Sequence, residues 1–465
     1  MVPDSALDRS GTTSTRSASL YPWYVVGVLS LLYVFSFIDR YVLALMVEPI
    51  HRDLAISDTQ MSLLLGFSFA VFFGLFGIPL GRLADSRSRR TIIAVGCVVW
   101  SVMTAACGLA KSYWQLLLLR MGVGAGEATL SPSAYSLIAD YFPKERLATA
   151  MSVYSTAIHV GTGLAFILGG LVVGFVTTDT LSGVPLVGGL QPWQTVFFIV
   201  GLPGLALALL VYTIKEPARR SLQVAPYARP VSAAVAAAAP GSVPLREVAR
   251  YFGQNKATLF CHSAGYTLSA LTSYTTWGPT LFVRNYGWSA AEAGIVFGLL
   301  TSILGVLGIL AGGRFADYLT ERGYRDANLR LGLIVTLAWF PTGILFPLMP
   351  TGGWAVALLI PTYFLVSAPW GAAAAALQQV VPPTMRGQAA AIYLLAINLI
   401  GMGLGPTAVA LTTDYIFRDD HALNYSLLVV GTVSHVLSAV LLWKGLRYFR
   451  ESLDRLEQWK PADGQ

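Results

Sequence analysis

Gly81-Arg82-Leu83-Ala84-Asp85 returns in the second half of the chain as Gly313-Arg314-Phe315-Ala316-Asp317. The flanks return with it. Ser57 and Gly66 stand at the same offsets before the first copy as Ser289 and Gly298 before the second. Further on, Pro143, Arg146, Gly161 and Gly163 are answered in register by Pro383, Arg386, Gly401 and Gly403. Two ungapped matches in the same order mark an internal duplication, so the chain is read as two copies of one unit.

What each copy contains follows from composition. Hydrophobic residues are 55% of 465 and charged residues 12%, against about 25% charged in an average soluble domain. So few charges cannot solvate a soluble surface of this size. The apolar residues come in runs of about 20, long enough to cross a bilayer as helices with every backbone polar group satisfied internally. The spacing predicts twelve spans, at 22–48, 58–81, 91–110, 113–139, 146–176, 192–214, 257–283, 289–313, 330–349, 353–380, 387–412 and 423–446. The fold class is therefore an all-α membrane protein with twelve transmembrane helices in two pseudo-symmetric six-helix bundles, 22–214 and 257–446. A disordered cytoplasmic N-tail (1–21), a cytoplasmic linker rich in Ala, Pro and Arg (215–256) and a cytoplasmic C-tail (447–465) complete the chain.

Charge supports the count. Of 31 Lys and Arg residues, Arg40 and Arg120 fall inside spans and only Arg52, Lys111, Arg284 and Arg418 fall on one face. All the others fall on the opposite face, which the positive-inside rule makes cytoplasmic along with both termini. The net charge of +7 then reflects topology and contact with anionic lipid, not nucleic-acid binding. The three cysteines lie within apolar runs as small packing residues. Short tails and loops fit a bacterial inner-membrane protein, expected to act as a monomer.

The segment Gly81 to Arg90, GRLADSRSRR, is similar to the loop 2–3 signature of the major facilitator superfamily, Gly-x-Leu-x-Asp-Arg-x-Gly-Arg-Arg. Ser86 and Ser88 replace the Arg and Gly of that pattern. Within the superfamily, IDRYVLALMVEPI (38–50), ISDTQMSLLLG (56–66), RMGVGAGEATLSPSAYSLIADYFPKER (120–146) and MSVYSTAIHVGTGLAFILGG (151–170) resemble the spinster family. The Gly-Glu-Ala element is shared with organic-anion symporters. The resemblance covers most of the first half and is weaker in the second. It implies the major facilitator fold, alternating access, and export of lipid-like amphiphiles such as lysophospholipids and sphingoid phosphates, often coupled to protons. It also implies that Asp85 engages the N-terminal end of helix 11 while Gly81, Arg82, Arg89, Arg90 and Arg146 complete a cytoplasmic latch. Arg314, Asp317 and Arg386 would form a degenerate second latch.

Charge within the spans is the most informative local signal, because a charged side chain at mid-bilayer costs about 2.5–3.5 kcal/mol even on the lenient insertion scale. Asp39 and Arg40 lie on helix 1, Arg120 and Glu127 on helix 4. Arg120 and Glu127 are two turns apart and share a helix face. Arg40 or Arg120 is placed to bind an anionic head group with its planar fork of donors. Asp39 or Glu127 is placed to take up a proton, which releases the arginine partner; His159 on helix 5 is a candidate member of the relay. Two static ion pairs fixing helix packing are the bland alternative.

The second bundle offers Tyr274, Trp277, Trp370 and Asn398 to an apolar, aromatic wall, although such residues in membrane helices mostly pack or anchor. One charged wall and one apolar wall suit an amphiphile carried down a proton gradient with no bound cofactor. The runner-up cargo is an organic anion or sugar phosphate. Glycines on helix 5 (Gly161, Gly163, Gly169, Gly170) and helix 11 (Gly401, Gly403, Gly405) serve sliding or static packing equally well.

Other classes find little support. Gly122-x-Gly124-x-Gly126 lies in a span with no preceding strand, unlike a dinucleotide loop. There is no P-loop, GxSxG, HExxH or Cys/His metal spacing. A lipid-handling enzyme would need a nucleophile with a base, and a membrane sensor an output domain; neither is visible.

Overall fold

A computed structural model describes residues 20–142, 144–175, 190–217, 245–382 and 385–458. The segments assigned to the N-tail, the middle of the linker and the end of the C-tail lie outside the described residues. Everything described is helical or turn. Helix α1 (Tyr21–Tyr41) runs through a 3-10 turn into the short α2 (Val47–Leu54). Next come α3 (Asp58–Ser62), a π-turn over Leu63–Phe67, and α4 (Ser68–Ser86). Then follow α5 (Arg89–Cys107), α6 (Tyr113–Glu127), α7 (Leu130–Tyr141), α8 (Lys144–Phe175) and α9 (Pro192–Val211).

After the linker, α10 (Leu245–Gln254) leads into α11 (Lys256–Ala270) and α12 (Tyr274–Tyr286). Helix α13 (Ala290–Leu299) joins α14 (Gly305–Glu321) through a π-turn over Leu300–Leu304. The remaining helices are α15 (Ala327–Leu345), α16 (Gly352–Ser367), α17 (Pro369–Gln379), α18 (Arg386–Ala396), α19 (Gly405–Leu411) and α20 (Leu423–Gln458).

Ten segments among the described residues are long and apolar enough to span a membrane. The two other expected spans, the fourth and the seventh, are each broken. Helices α6 and α7 meet at Ala128–Thr129, and α11 and α12 at Leu271–Ser273, with Ser273 in the left-handed region at φ 52°. Each piece is too short to cross a bilayer on its own.

The surface is inverted relative to a soluble protein. Leu75, Trp114, Leu118, Leu209, Leu310, Trp354 and Trp443 are exposed, while Asp39, Asp58, Arg89, Arg120 and Glu127 are buried. That pattern is what a lipid solvent selects.

The duplication is visible in local structure. Ser57 accepts from the Gln60 N–H (3.2 Å) while the Gln60 side chain accepts from the Ser57 N–H (3.0 Å). Ser289 and Glu292 make the same reciprocal cap, at 3.2 and 2.8 Å. Capping boxes of this kind satisfy two orphan amides at a helix start.

The repeat also governs how residues 20–217 touch residues 245–458. A Cβ on Gly163 would lie 2.7 Å from the Gly298 carbonyl, and one on Gly66 would lie 3.1 Å from the Gly403 carbonyl. Gly163 and Gly403 are repeat partners, as are Gly66 and Gly298. The two crossings are thus copies of one contact, backbone against backbone, that only small residues allow.

Candidate functional site

The Tyr21 hydroxyl donates to the Thr213 carbonyl just beyond α9 at 3.1 Å, and Arg90 at the start of α5 donates to the neighbouring Ile214 carbonyl, so these helix ends share one face, called here the near face. The opposite, far face carries α2, the start of α3 and the end of α12.

Four charged groups meet between α1 and α6, inside the first segment. Arg40 donates to Glu127 Oε2 at 2.8 Å, and the Ser36 hydroxyl donates to the same oxygen at 2.6 Å. Arg120 donates not to a carboxylate but to the main-chain carbonyl of Asp39, at 3.1 Å. Asp39 accepts from Thr104 of α5 at 3.3 Å. The expected four-residue network is therefore one ion pair plus an arginine on a backbone carbonyl.

Exposure separates the members. Arg120, Glu127 and Asp39 are closed off, whereas the Arg40 side chain keeps 14% of its surface. Asp39 Oδ1, Arg40 Nε, Arg120 Nε and Nη2, and Glu127 Oε1 have no protein partner. Buried polar atoms are rarely left so. This cluster is thus only partly satisfied by hydrogen bonds.

Aromatic rings enclose Arg40. Its guanidinium lies over Phe69 (4.1 Å to the centroid), Phe37 (4.7 Å) and Phe73 (5.4 Å). Tyr33, two turns before Arg40 on α1, stacks on Tyr154 at 4.7 Å. The first segment thus supplies aromatic surface as well as charge.

The aromatic residues expected from the second segment lie elsewhere. Tyr274 is buried, donates to the Gly343 carbonyl (3.3 Å) and stacks on Trp339. Trp277 is fully buried and donates to the Pro406 carbonyl at 3.0 Å. Trp370 is exposed, and half-buried Asn398 donates back to Leu394 of its own helix at 2.8 Å. His159 is half-buried and faces Gly305 across the segment boundary.

At the far face, Arg284 at the end of α12 grips two carboxylates of the first segment. It meets Asp58 in a fork, at 2.6 and 2.7 Å, and its Nε donates to Glu48. Beside it the Thr59 N–H donates to Asp414 at 2.8 Å, and the Ser62 hydroxyl donates to Thr407 at 3.2 Å. These links tie the two segments together at the far face. Sequence reading counted Arg284 only as one of four cations on that face. The missed signal was Asp58, because the second copy of the repeat has Ala290 at that position.

At the near face, Arg89 is buried at the start of α5. It pairs with Asp140 of α7 and, at 2.9 Å, with Glu216 beyond α9. The Glu216 carboxylate also accepts from the Arg90 N–H (2.9 Å) and the Ser88 hydroxyl (3.0 Å). Burial opposes ionisation there, but these donors and the Arg89 charge prevail and hold the carboxyl below its ordinary range. Arg90 itself donates to the Ile214 carbonyl at 3.2 Å. Every one of these partners lies within the first segment. Arg146, Arg314 and Asp317 are exposed. The side chains of Arg82, Asp85 and Arg386, and the surroundings of Gly81, lie outside what is described.

Comparison with known proteins gives one answer. The model of the Major Facilitator Superfamily matches residues 29–406. An MFS-type efflux pump of Mycolicibacterium smegmatis is 30% identical over 97% of this chain and 99% of its own length. Protein spinster homolog 1 of Homo sapiens is 27% identical, covering 95% of this chain and 83% of that protein. Among solved structures, a bacterial homologue of the human lysosomal transporter spinster, in an inward-facing and occupied conformation, is similar at 29% identity. Its TM-score is 0.74, and the match covers 96% of this chain and 100% of that one.

Proposed function

The chain belongs to the major facilitator superfamily and is related to its spinster proteins, and from that premise we propose a secondary active transporter that exports an anionic amphiphile by alternating access, coupled to protons. The buried set Asp39, Arg40, Arg120 and Glu127 carries the reading. Charge kept inside a membrane helix bundle against its cost has a functional reason, and static pairs could be replaced by apolar residues of equal volume without loss of stability.

The roles divide by access. Arg40 is the member with open surface, and its free donors meet the anionic head group. Glu127 holds Arg40 while ionised and releases it when protonated, so proton and substrate compete for one guanidinium. Asp39 stands as a second acid on the same cluster. Arg120, closed off and bound to the Asp39 carbonyl, fixes α6 against α1 and supplies positive potential from behind. The aromatic faces of Phe37, Phe69 and Phe73 offer the apolar part of an amphiphile a surface beside its head group. The outward direction follows the relative named an efflux pump, and the class of cargo follows from the arginine and the aromatic faces beside it.

The architecture proposed is twelve spans in two six-helix bundles, 22–214 and 257–446, joined by the linker 215–256. The broken pairs α6/α7 and α11/α12 count as one span each. Both termini lie in the cytoplasm of a bacterial inner membrane, with the near face inside, in keeping with the Lys and Arg bias. The far-face clamp of Arg284 on Asp58 and Glu48 supports reading the chain as inward-facing. The latch assigned to Gly81, Arg82, Asp85, Arg146, Arg314, Asp317 and Arg386 forms when the bundles rock over.

Flux in proteoliposomes tests this. Labelled lysophospholipid should move with a pH gradient and slow at least tenfold in Glu127→Gln and in Arg40→Ala. Transport of an organic acid in place of lysolipid would transfer the reading to an anion symporter. An unaltered pH profile in both Glu127→Gln and Asp39→Asn would remove proton coupling.

A further inference from the structure

We infer that Phe69 and Phe73 on α4 are positioning residues for the head-group arginine, holding the Arg40 guanidinium against Glu127 and reporting the movement of α4 to that pair. The inference rests on the proton-coupling role proposed for Glu127 and extends it to residues that carry no charge.

The geometry is specific. A guanidinium has five N–H donors in one plane, and among the described residues Arg40 has one hydrogen bond, on Glu127, with Nε unpartnered. A single bond does not fix the orientation of a planar fork. The aromatic faces supply the rest. Phe69 and Phe73, one turn apart on α4, stack with their centroids 5.5 Å apart and present a continuous surface to the cation. Phe37 closes the other side from α1 itself. A cation over aromatic faces is attracted by the ring quadrupole, more strongly where water is excluded.

Helix α4 is not an arbitrary donor of rings. Its π-turn over Leu63–Phe67 brings Gly66 onto the Met402 and Gly403 carbonyls, and a few residues on Phe69 reaches Arg40. The preceding α3 holds Asp58 in the far-face clamp, and α4 ends in the motif segment at the near face. One continuous rod thus touches the clamp, the contact between segments and the charged cluster. Single extra-residue turns of this kind often occur at functional sites.

Its approach to α6 is also fixed. A Cβ on Gly124 would lie 2.8 Å from the Phe69 carbonyl, so the glycine one turn before Glu127 is what lets Phe69 come this close. When α4 bends at its π-turn within the first bundle, the rings leave the guanidinium and Glu127 loses the orientation of its partner. Conformational change is thereby converted into proton affinity without any new charge.

The test uses the purified full-length protein and needs no substrate. The protonated-carboxyl band in infrared difference spectra is followed against pH, and the part abolished by Glu127→Gln is assigned to Glu127. In Phe69→Leu, which keeps the apolar volume and removes the ring, the midpoint of that band should rise by about half to one pH unit. That shift is the order expected from losing one desolvated cation–π contact. Phe69→Trp should restore it, and Phe73→Leu should move it less, in line with the longer distance. A midpoint in Phe69→Leu equal to that of the parent chain, with an unchanged melting temperature, overturns the inference and leaves the coupling role of Glu127 standing. A parent chain with no Glu127-dependent band overturns both.

Discussion

The two faces of the molecule each carry a buried arginine between carboxylates, and they differ in what those carboxylates belong to. Arg284 at the far face reaches Asp58 and Glu48 of the other segment. Arg89 at the near face reaches Asp140 and Glu216 of its own. The chemistry is nearly the same, but the consequence is opposite. A pair that crosses a moving boundary must break in every cycle, so its strength enters the equilibrium between states. The Arg89 pairs cross no such boundary and lie outside the proton and substrate cluster, so they are expected to act through stability.

The sharpest way to break this contrast is to remove the two arginines separately. Arg284→Ala strands two carboxylates in a closed interface, at a cost of about 3–5 kcal/mol to the closed far face. Spin labels placed on the two segments at that face should report a population shifted to longer distances by a hundredfold or more. An unchanged distribution would mean that the clamp does not set the state. Arg89→Ala should do the reverse, lowering unfolding stability by about 2–3 kcal/mol, since Asp140 and Glu216 keep some solvent, while distances between segments stay as they were.

A smaller effect separates the two copies of the glycine crossing. Gly163→Ala drives a methyl into Ser302 and the Gly298 carbonyl, whereas Gly403→Ala meets its nearest neighbour, the Ala70 methyl, at 3.0 Å. The first should cost about 1–3 kcal/mol by overpacking and slow transport. The second should be close to silent. Equal losses would show that the repeat is symmetric in mechanics as well as in sequence.

Smallest is the pH response of the near-face cluster. The Glu216 carboxyl lies below its ordinary value of 4.5, so its contribution is fully present above about that pH. It disappears as pH falls through the lower folded value, because the unfolded state then binds more protons. Melting curves of the parent chain and Glu216→Gln should differ by about 1 kcal/mol near neutrality and converge in acid. A difference that persists at the lowest pH would assign the loss to packing.

Much of this was legible in the sequence because it is periodic or duplicated. Apolar runs located the ten long spans, and the repeat partners Ser57 and Ser289 prove to start two similar capping boxes. The intramembrane charges stood out against their surroundings, so Asp39, Arg40, Arg120 and Glu127 were legible as one cluster, though not which of them pair. What stayed hidden depends on partners distant in sequence. Nothing around Arg284 marks Asp58 as its partner, and nothing around Arg120 says that it would choose a main-chain carbonyl over a carboxylate. Glu216 looked like part of a linker until the amides of α5 turned toward it. Phe69 and Phe73 were two more aromatics in an apolar run. The duplication itself held the best unread clue, in that Asp58 breaks it.

The break between α6 and α7 has a consequence for how the chain is made. Helix α6 is the half of its span that carries Arg120 and Glu127, so leaving the translocon with no neighbour beside it would expose two charges to hydrocarbon. Its neighbour α5 is long, apolar and already emerged. A Cβ on Gly126 would lie 2.7 Å from the Trp100 N–H, and one on Gly96 would lie 2.8 Å from the Gly126 carbonyl. The tight seam between these helices therefore lets the polar helix enter the bilayer as half of a hairpin. A bulky residue at Gly96 or Gly126 would act during biosynthesis, as a failure of membrane integration, before transport could be measured at all.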